Sequence, residues 1–146
     1  MGKCTDHVKV LRFFIVRDML IICVDGSGLG SGISATAFQR HGISTTIVEI
    51  DPAVYTAART YFGLSDPGPE KVFLEDARGW VSKRRAEVEQ GKTSTLYDIV
   101  VHDCFSGGGV PEHIFTLQFW NDLKTIMLPD GILVVVSPPY VEYVID

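Results

Sequence analysis

The residues of this chain best suited to chemistry stand where apolar runs end. Ile21-Ile22-Cys23-Val24 leads into Asp25-Gly26-Ser27-Gly28-Leu29-Gly30-Ser31-Gly32, a loop with glycine at every second position. Without a Cβ, backbone N–H groups can come close to a ligand, and a helical pattern starting at Ile33 adds a partial positive charge. Thr45-Thr46-Ile47-Val48 ends in Glu49, Lys71-Val72-Phe73-Leu74 in Glu75-Asp76, and Tyr97-Asp98-Ile99-Val100-Val101-His102 in Asp103. A carboxylate offers two acceptor oxygens, which suits the cis-diol of a ribose. Glu49 lies 19 residues after Gly30, the spacing at which an acid reaches ribose hydroxyls beyond a glycine loop. Asp76 is placed to accept from an exocyclic amine such as that of adenine, with Glu75 or a plain helix cap as the competing readings. One acid at a strand end is more often a cap than a ligand contact; the set of four stretches points to a site. Of the two glycine registers, Gly28, Gly30 and Gly32 is preferred, because a helix then starts cleanly at Ser34-Ala35-Thr36-Ala37-Phe38.

Such a set works only if one scaffold brings it to one edge. Strands are predicted at residues 21–24, 45–50, 71–74, 97–103 and 132–136, the first apolar throughout, as in a strand buried on both faces. Helices are predicted at 34–40, 52–63, 77–90 and 112–127. Asp51 suits the N-cap of the second and Pro52 its first position; Pro129-Asp130-Gly131 closes the last. The alternation implies an α/β, Rossmann-like fold: a mostly parallel sheet of about five strands with helices on both faces. Ligands of such sheets sit beyond the carboxyl ends of the strands.

Composition narrows the field. The chain has 146 residues, 46% hydrophobic and 21% charged, enough to bury one core. A net charge of −5 argues against a phosphate-backbone binder, so no nucleic acid is expected. Lys83-Arg84-Arg85 reads as a solvated helix face. Three unpaired cysteines, Cys4, Cys23 and Cys104, suit a reducing compartment. Residues 8–24 carry Lys9, Arg12, Arg17 and Asp18 and do not read as a membrane span or a signal peptide. A soluble, cytoplasmic protein is expected.

The stretches Ile47-Val48-Glu49-Ile50-Asp51, Glu75-Asp76-Ala77, Tyr97-Asp98-Ile99-Val100-Val101-His102-Asp103 and Pro129-Asp130-Gly131-Ile132-Leu133 resemble the spermidine synthase family and, more broadly, the class I AdoMet-dependent methyltransferases. Pro111, Phe115 and Phe119-Trp120 resemble the synthase segment after the fourth strand. The resemblance covers roughly residues 20–137 and implies S-adenosylmethionine or decarboxylated S-adenosylmethionine as the bound nucleoside substrate. It implies that the glycine loop and Glu49 hold the nucleoside, that Asp76 contacts adenine, and that Asp103 serves a polyamine acceptor. Aminopropyl transfer is attack by an unprotonated amine on a carbon beside a sulfonium. A carboxylate such as Asp103 can take or orient the amine's proton, and alignment supplies most of the rate. Methyl transfer uses the same geometry.

The chain departs from the family in three ways. Asp103-Cys104-Phe105-Ser106 has Ser106 where the family has a second Asp. Residues 1–19, an N-terminal extension of uncertain form, do not replace the family's β-rich substrate domain. The family's last strands are lacking after Ser137, so residues 20–146 are expected to form an incomplete nucleoside-binding domain whose open sheet edge a second copy could cover. A catalytically incomplete subunit is therefore one competing reading. Gly30-Ser31-Gly32-Ile33-Ser34-Ala35 also matches the NAD fingerprint, and Ser137-Pro138-Pro139-Tyr140 resembles the motif of amino-methylating DNA enzymes. His102, Asp103, Cys104 and His113 fit no usual zinc spacing, so no metal is expected, and nothing assigns Cys104 the base a nucleophile needs.

Overall fold

A computed structural model describes residues 17–23, 29–104 and 111–136. Five strands and four α-helices alternate along it: β1 (Asp18–Cys23), α1 (Ile33–Arg40), β2 (Ser44–Glu49), α2 (Pro52–Phe62), β3 (Val72–Phe73), α3 (Ala77–Glu89), β4 (Tyr97–Asp103), α4 (Leu117–Thr125) and β5 (Met127–Val136). The strands form one sheet in the order β3-β2-β1-β4-β5, parallel at every pairing. Connections run outward in one direction through α1 and α2 and in the other through α3 and α4. Strand order therefore reverses between β1 and β4, and that reversal fixes where a ligand can sit.

The unbroken apolar run of β1 explains its central place. Leu20 and Ile22 face one layer, with Val48, Val100, Trp80, Val81, Phe119 and Leu123 of the α3 and α4 side. Met19 and Ile21 face the other, with Ala35, Ile47, Tyr55 and Ala58 of the α1 and α2 side. Each large side chain fully buried here contributes about 1.5–3 kcal/mol. The α3 and α4 layer is also tied by charge: Asp122, 6% exposed, lies 3.1 Å from Arg85 and 3.8 Å from Arg78.

Local chemistry sets the boundaries. Asp51 Oδ1 accepts from the Ala53 N–H at 2.8 Å, Pro52 opens α2, and Gly63 at φ 74° closes it, as the sequence predicts. β1 begins at Asp18 rather than residue 21, because Asp98 Oδ2 accepts from the N–H groups of Arg17 and Asp18 at 3.0 and 2.9 Å and stitches them to β4. β3 shrinks to two residues after a 3-10 turn at Pro69–Lys71.

Two elements differ more from expectation. The helix predicted over 112–127 is a 3-10 turn at Glu112–Ile114 followed by a separate α4. Thr116 makes the break: its hydroxyl accepts from the Phe119 N–H at 3.2 Å and caps a new helix. Pro129-Asp130-Gly131 is no closing turn. It lies within β5 as an irregularity, the register passing from Tyr97–Met127 to Ile99–Ile132. A Cβ on Gly131 would stand 3.0–3.2 Å from the carbonyl oxygens of Leu128, Tyr97 and Asp98, so any larger residue would press the backbones apart by a few tenths of an ångström. Beyond it β5 forms one edge of the sheet, and residues 132–136 are each 38–48% exposed. Among the described residues no helix is long and apolar enough to cross a membrane.

Candidate functional site

Parallel strands deliver their last residues to one edge. Cys23 pairs with Glu49 across β1 and β2, and Ile22 pairs with His102 across β1 and β4, so Asp103 comes level with the end of β1. Glu49 and Asp103 thus flank the reversal point two strand spacings apart, about 10 Å between backbones. The glycine loop leaves β1 between them. Asp25, Gly26 and Gly28 lie outside the described residues, as do Ser106, the Ser137-Pro138-Pro139-Tyr140 stretch and residues 1–16.

The described part of the loop explains two of the predicted glycines. Gly30 and Gly32 adopt φ of 50° and 73°, a region that side chains disfavour. The Gly32 N–H donates to Leu29 O at 2.7 Å, and a Cβ there would stand 3.3 Å from Leu64 Cβ and 3.4 Å from Ala58 Cβ. Gly32 therefore serves the turn and its packing on α2. It opens α1 without a side-chain cap, so among the described residues no capping side-chain oxygen meets the N–H groups of the first turn.

Glu49 is a buried carboxylate with half its capacity unused. It has no exposed surface; Oε1 accepts from the Asp51 N–H at 2.8 Å, while Oε2 has no hydrogen-bond partner among the described residues. Burial pushes its pKa above the ordinary carboxylate value, and the N–H dipoles of Asp51, Leu29 and Ile50 pull part of the way back. A buried acceptor without a partner is costly unless a ligand hydroxyl supplies the hydrogen bond. The ribose of an AdoMet-type nucleoside would supply it, so the residues fit that group.

Both oxygens of Asp76 have a partner. It caps α3 through Oδ2, which accepts from the Gly79 N–H at 3.0 Å, and its Oδ1 lies 3.0 Å from His113 Nε2. Both the cap and the strand-end position foreseen for it are present, and each oxygen keeps a second lone pair. His113 is the residue that sequence reasoning missed. It lies 37 positions away on the Glu112–Ile114 turn, and no local pattern links the two. Glu75 is exposed.

Asp103 is half-buried, and burial alone raises its pKa. Its side chain forms no hydrogen bond or ion pair among the described residues, which leaves the carboxylate able to take a proton at the reversal point. Its neighbour His102 turns the other way. The imidazole is wholly buried against Phe115, Phe119 and Trp120, with ring centroids at 4.8, 5.6 and 4.9 Å, and burial holds its pKa at about 4. Cys104 is also buried, its thiol donating to Ile22 O at 3.3 Å. Among the described residues no group of three or more His, Cys, Asp or Glu is arranged to hold a metal.

The spermine/spermidine synthase domain family matches residues 14–143. The chain is 42% identical over 108 residues to the N-terminal histidine N-methyltransferase of Emericella nidulans, covering 74% of this chain and 18% of that protein. It is 34% identical over 113 residues to the polyamine aminopropyltransferase of Vibrio vulnificus, covering 77% and 36%. It therefore spans well under half the length of either relative. Among solved structures, human methyltransferase-like protein 13 in complex with SAH shares the fold at TM-score 0.66 and 23% identity, over 82% of this chain and 53% of that one. A probable spermidine synthase from Corynebacterium glutamicum does so at 0.60 and 23%, over 81% and 39%.

Proposed function

Because this chain belongs to the spermine/spermidine synthase domain family, we propose that it is the nucleoside-binding part of an AdoMet-dependent group transferase. We infer that the group moved is a methyl, passed to a neutral nitrogen. We place the start of that unit at Asp18, the first residue of β1, rather than at residue 20, because Met19 already packs in the core. The observation that carries the reading is the buried Oε2 of Glu49, which has no partner among the described residues, set across the end of β1 from an Asp103 side chain that likewise meets none among them. Glu49 would accept from the ribose hydroxyls, with Asp76 near the base and Gly28, Gly30 and Gly32 against the amino-acid tail. The acceptor nitrogen attacks the methyl carbon of the sulfonium. The C–N bond forms as the C–S bond breaks, the sulfur leaves as a neutral thioether, and the nitrogen's proton passes to Asp103. Held in line, the two substrates need little else from the protein.

Methyl transfer is favoured by the 42% identity to a relative named as a histidine N-methyltransferase and by Ser106. A polyamine is cationic along its length, and Ser106 withdraws the second acid expected beside it. The family match and the aminopropyltransferase relative support a second reading, aminopropyl transfer from decarboxylated AdoMet to a polyamine.

Calorimetric titration with AdoMet, SAH, decarboxylated AdoMet and NAD tests the nucleoside. AdoMet and SAH should bind; binding of NAD alone removes the reading. Product analysis with AdoMet plus a peptide bearing N-terminal histidine, against decarboxylated AdoMet plus putrescine, separates the two transfers. Asp103→Asn should cut turnover by about 10²–10⁴ and leave nucleoside affinity nearly intact. An unchanged rate removes Asp103 from the chemistry.

A further inference from the structure

We propose that His113 is a positioning residue for the nucleoside, fixing the Asp76 carboxylate so that it accepts from the exocyclic amine of the base. The inference rests on the nucleoside reading above and names a residue that reading does not use. A carboxylate accepts and cannot donate, so in the 3.0 Å contact His113 Nε2 carries the hydrogen and Asp76 Oδ1 receives it. Asp76 Oδ2 is already committed to the Gly79 N–H at the start of α3. With both oxygens engaged the carboxylate cannot rotate, and its remaining lone pairs point in set directions.

The pair also joins two distant corners. Asp76 follows β3 and His113 follows β4, while β2 and β1 lie between those strands in the sheet. The bond therefore links the segments that follow two strands separated in the sheet by β1 and β2, the strand that ends in Glu49. His113 is fixed from below: its neighbour Ile114 is wholly buried in the α3 and α4 layer. The His113 and Asp76 side chains themselves are 49% and 40% exposed. An ion pair or hydrogen bond so exposed adds little to folding, so losing it leaves the fold standing and releases the carboxylate to swing.

The test compares S-adenosylhomocysteine with its inosine analogue, which lacks the exocyclic amine, by calorimetric titration. Wild type should prefer the adenosine ligand. His113→Ala should bind it about tenfold more weakly, the equivalent of 1.4 kcal/mol, and bind the inosine analogue as wild type does. His113→Gln, whose amide N–H reaches the position of Nε2, should restore the adenosine affinity; His113→Asn, with a shorter reach, should not. An equal loss for both ligands would show a general structural role and overturn the proposal. So would unchanged or tighter binding of S-adenosylhomocysteine by His113→Ala, or a wild type that does not discriminate. If wild type binds neither nucleoside, the proposed function itself falls and takes this inference with it; if it binds and the variants match it, only the inference falls.

Discussion

Acid should expose the cost of burying His102. The imidazole is wholly enclosed by Phe115, Phe119 and Trp120, and neither ring nitrogen has a hydrogen-bond partner among the described residues. Burial lowers its pKa from 6.5 to about 4. A group whose pKa is depressed on folding takes its proton first in the unfolded chain. Stability is therefore full above about pH 6.5, falls as the pH drops toward 4, and is level below that. At 1.36 kcal/mol per unit, the loss reaches about 2 kcal/mol at pH 5 and about 3 kcal/mol below pH 4. Glu49 and Asp103, whose values are raised, act in the opposite sense, but they are common to wild type and variant and cancel in a difference. His102→Leu removes the titration and two unpartnered nitrogens while giving up the edge contacts to the aromatic rings. These changes offset each other near neutrality. Urea unfolding followed by tryptophan fluorescence should show the stability difference between variant and wild type growing by about 2 kcal/mol from pH 7.5 to pH 5. His102→Phe repeats the test with an aromatic ring. Parallel pH curves for wild type and both variants would refute the reasoning, because they would mean that His102 meets protons as freely in the folded chain as in the unfolded one.

Other variants probe other links. Asp122→Ala leaves Arg78 and Arg85 without their shared partner; with the arginines partly solvated, it should cost about 2 kcal/mol in urea unfolding. Gly131→Ala drives a methyl to 3.0–3.2 Å from three backbone carbonyls and should destabilise by about 1–3 kcal/mol, with amide exchange quickening along β5. Glu49→Gln keeps an oxygen for the Asp51 N–H and removes a desolvated charge. It should leave stability equal or higher while weakening AdoMet at least about tenfold; unchanged affinity would take Glu49 out of the nucleoside site.

The order of elements was legible because the physics behind it is local. β4 reads from its residues alone, and Asp51-Pro52 through Gly63 carries its own start and stop signals. What was not legible depends on contacts between distant segments. Nothing near residue 18 shows that Asp98 will accept its N–H and start β1 early. Pro129-Asp130-Gly131 has turn composition, and the turn reading is sound until β4 is laid beside it. The sheet then uses the glycine for close approach rather than for reversal. The break at Thr116 turns on its hydroxyl, which accepts from the Phe119 N–H and starts a new helix after the 3-10 turn.

The site divides in the same way. Glu49 and Asp103 end strands whose neighbours fix them, so their positions follow from register once the sheet is known. Gly32 takes a positive φ and packs on Leu64, a reason for glycine that no local pattern in the sequence shows. At Asp76 the cap is present, and it does not compete with a ligand contact, because each oxygen keeps a second lone pair. A cap engages one oxygen and orients the whole carboxylate, and a second donor completes the orientation. That second donor, His113, arrives from beyond a loop and across two strands. The precision of a strand-end acid can thus be set by a residue that shares no sequence pattern with it.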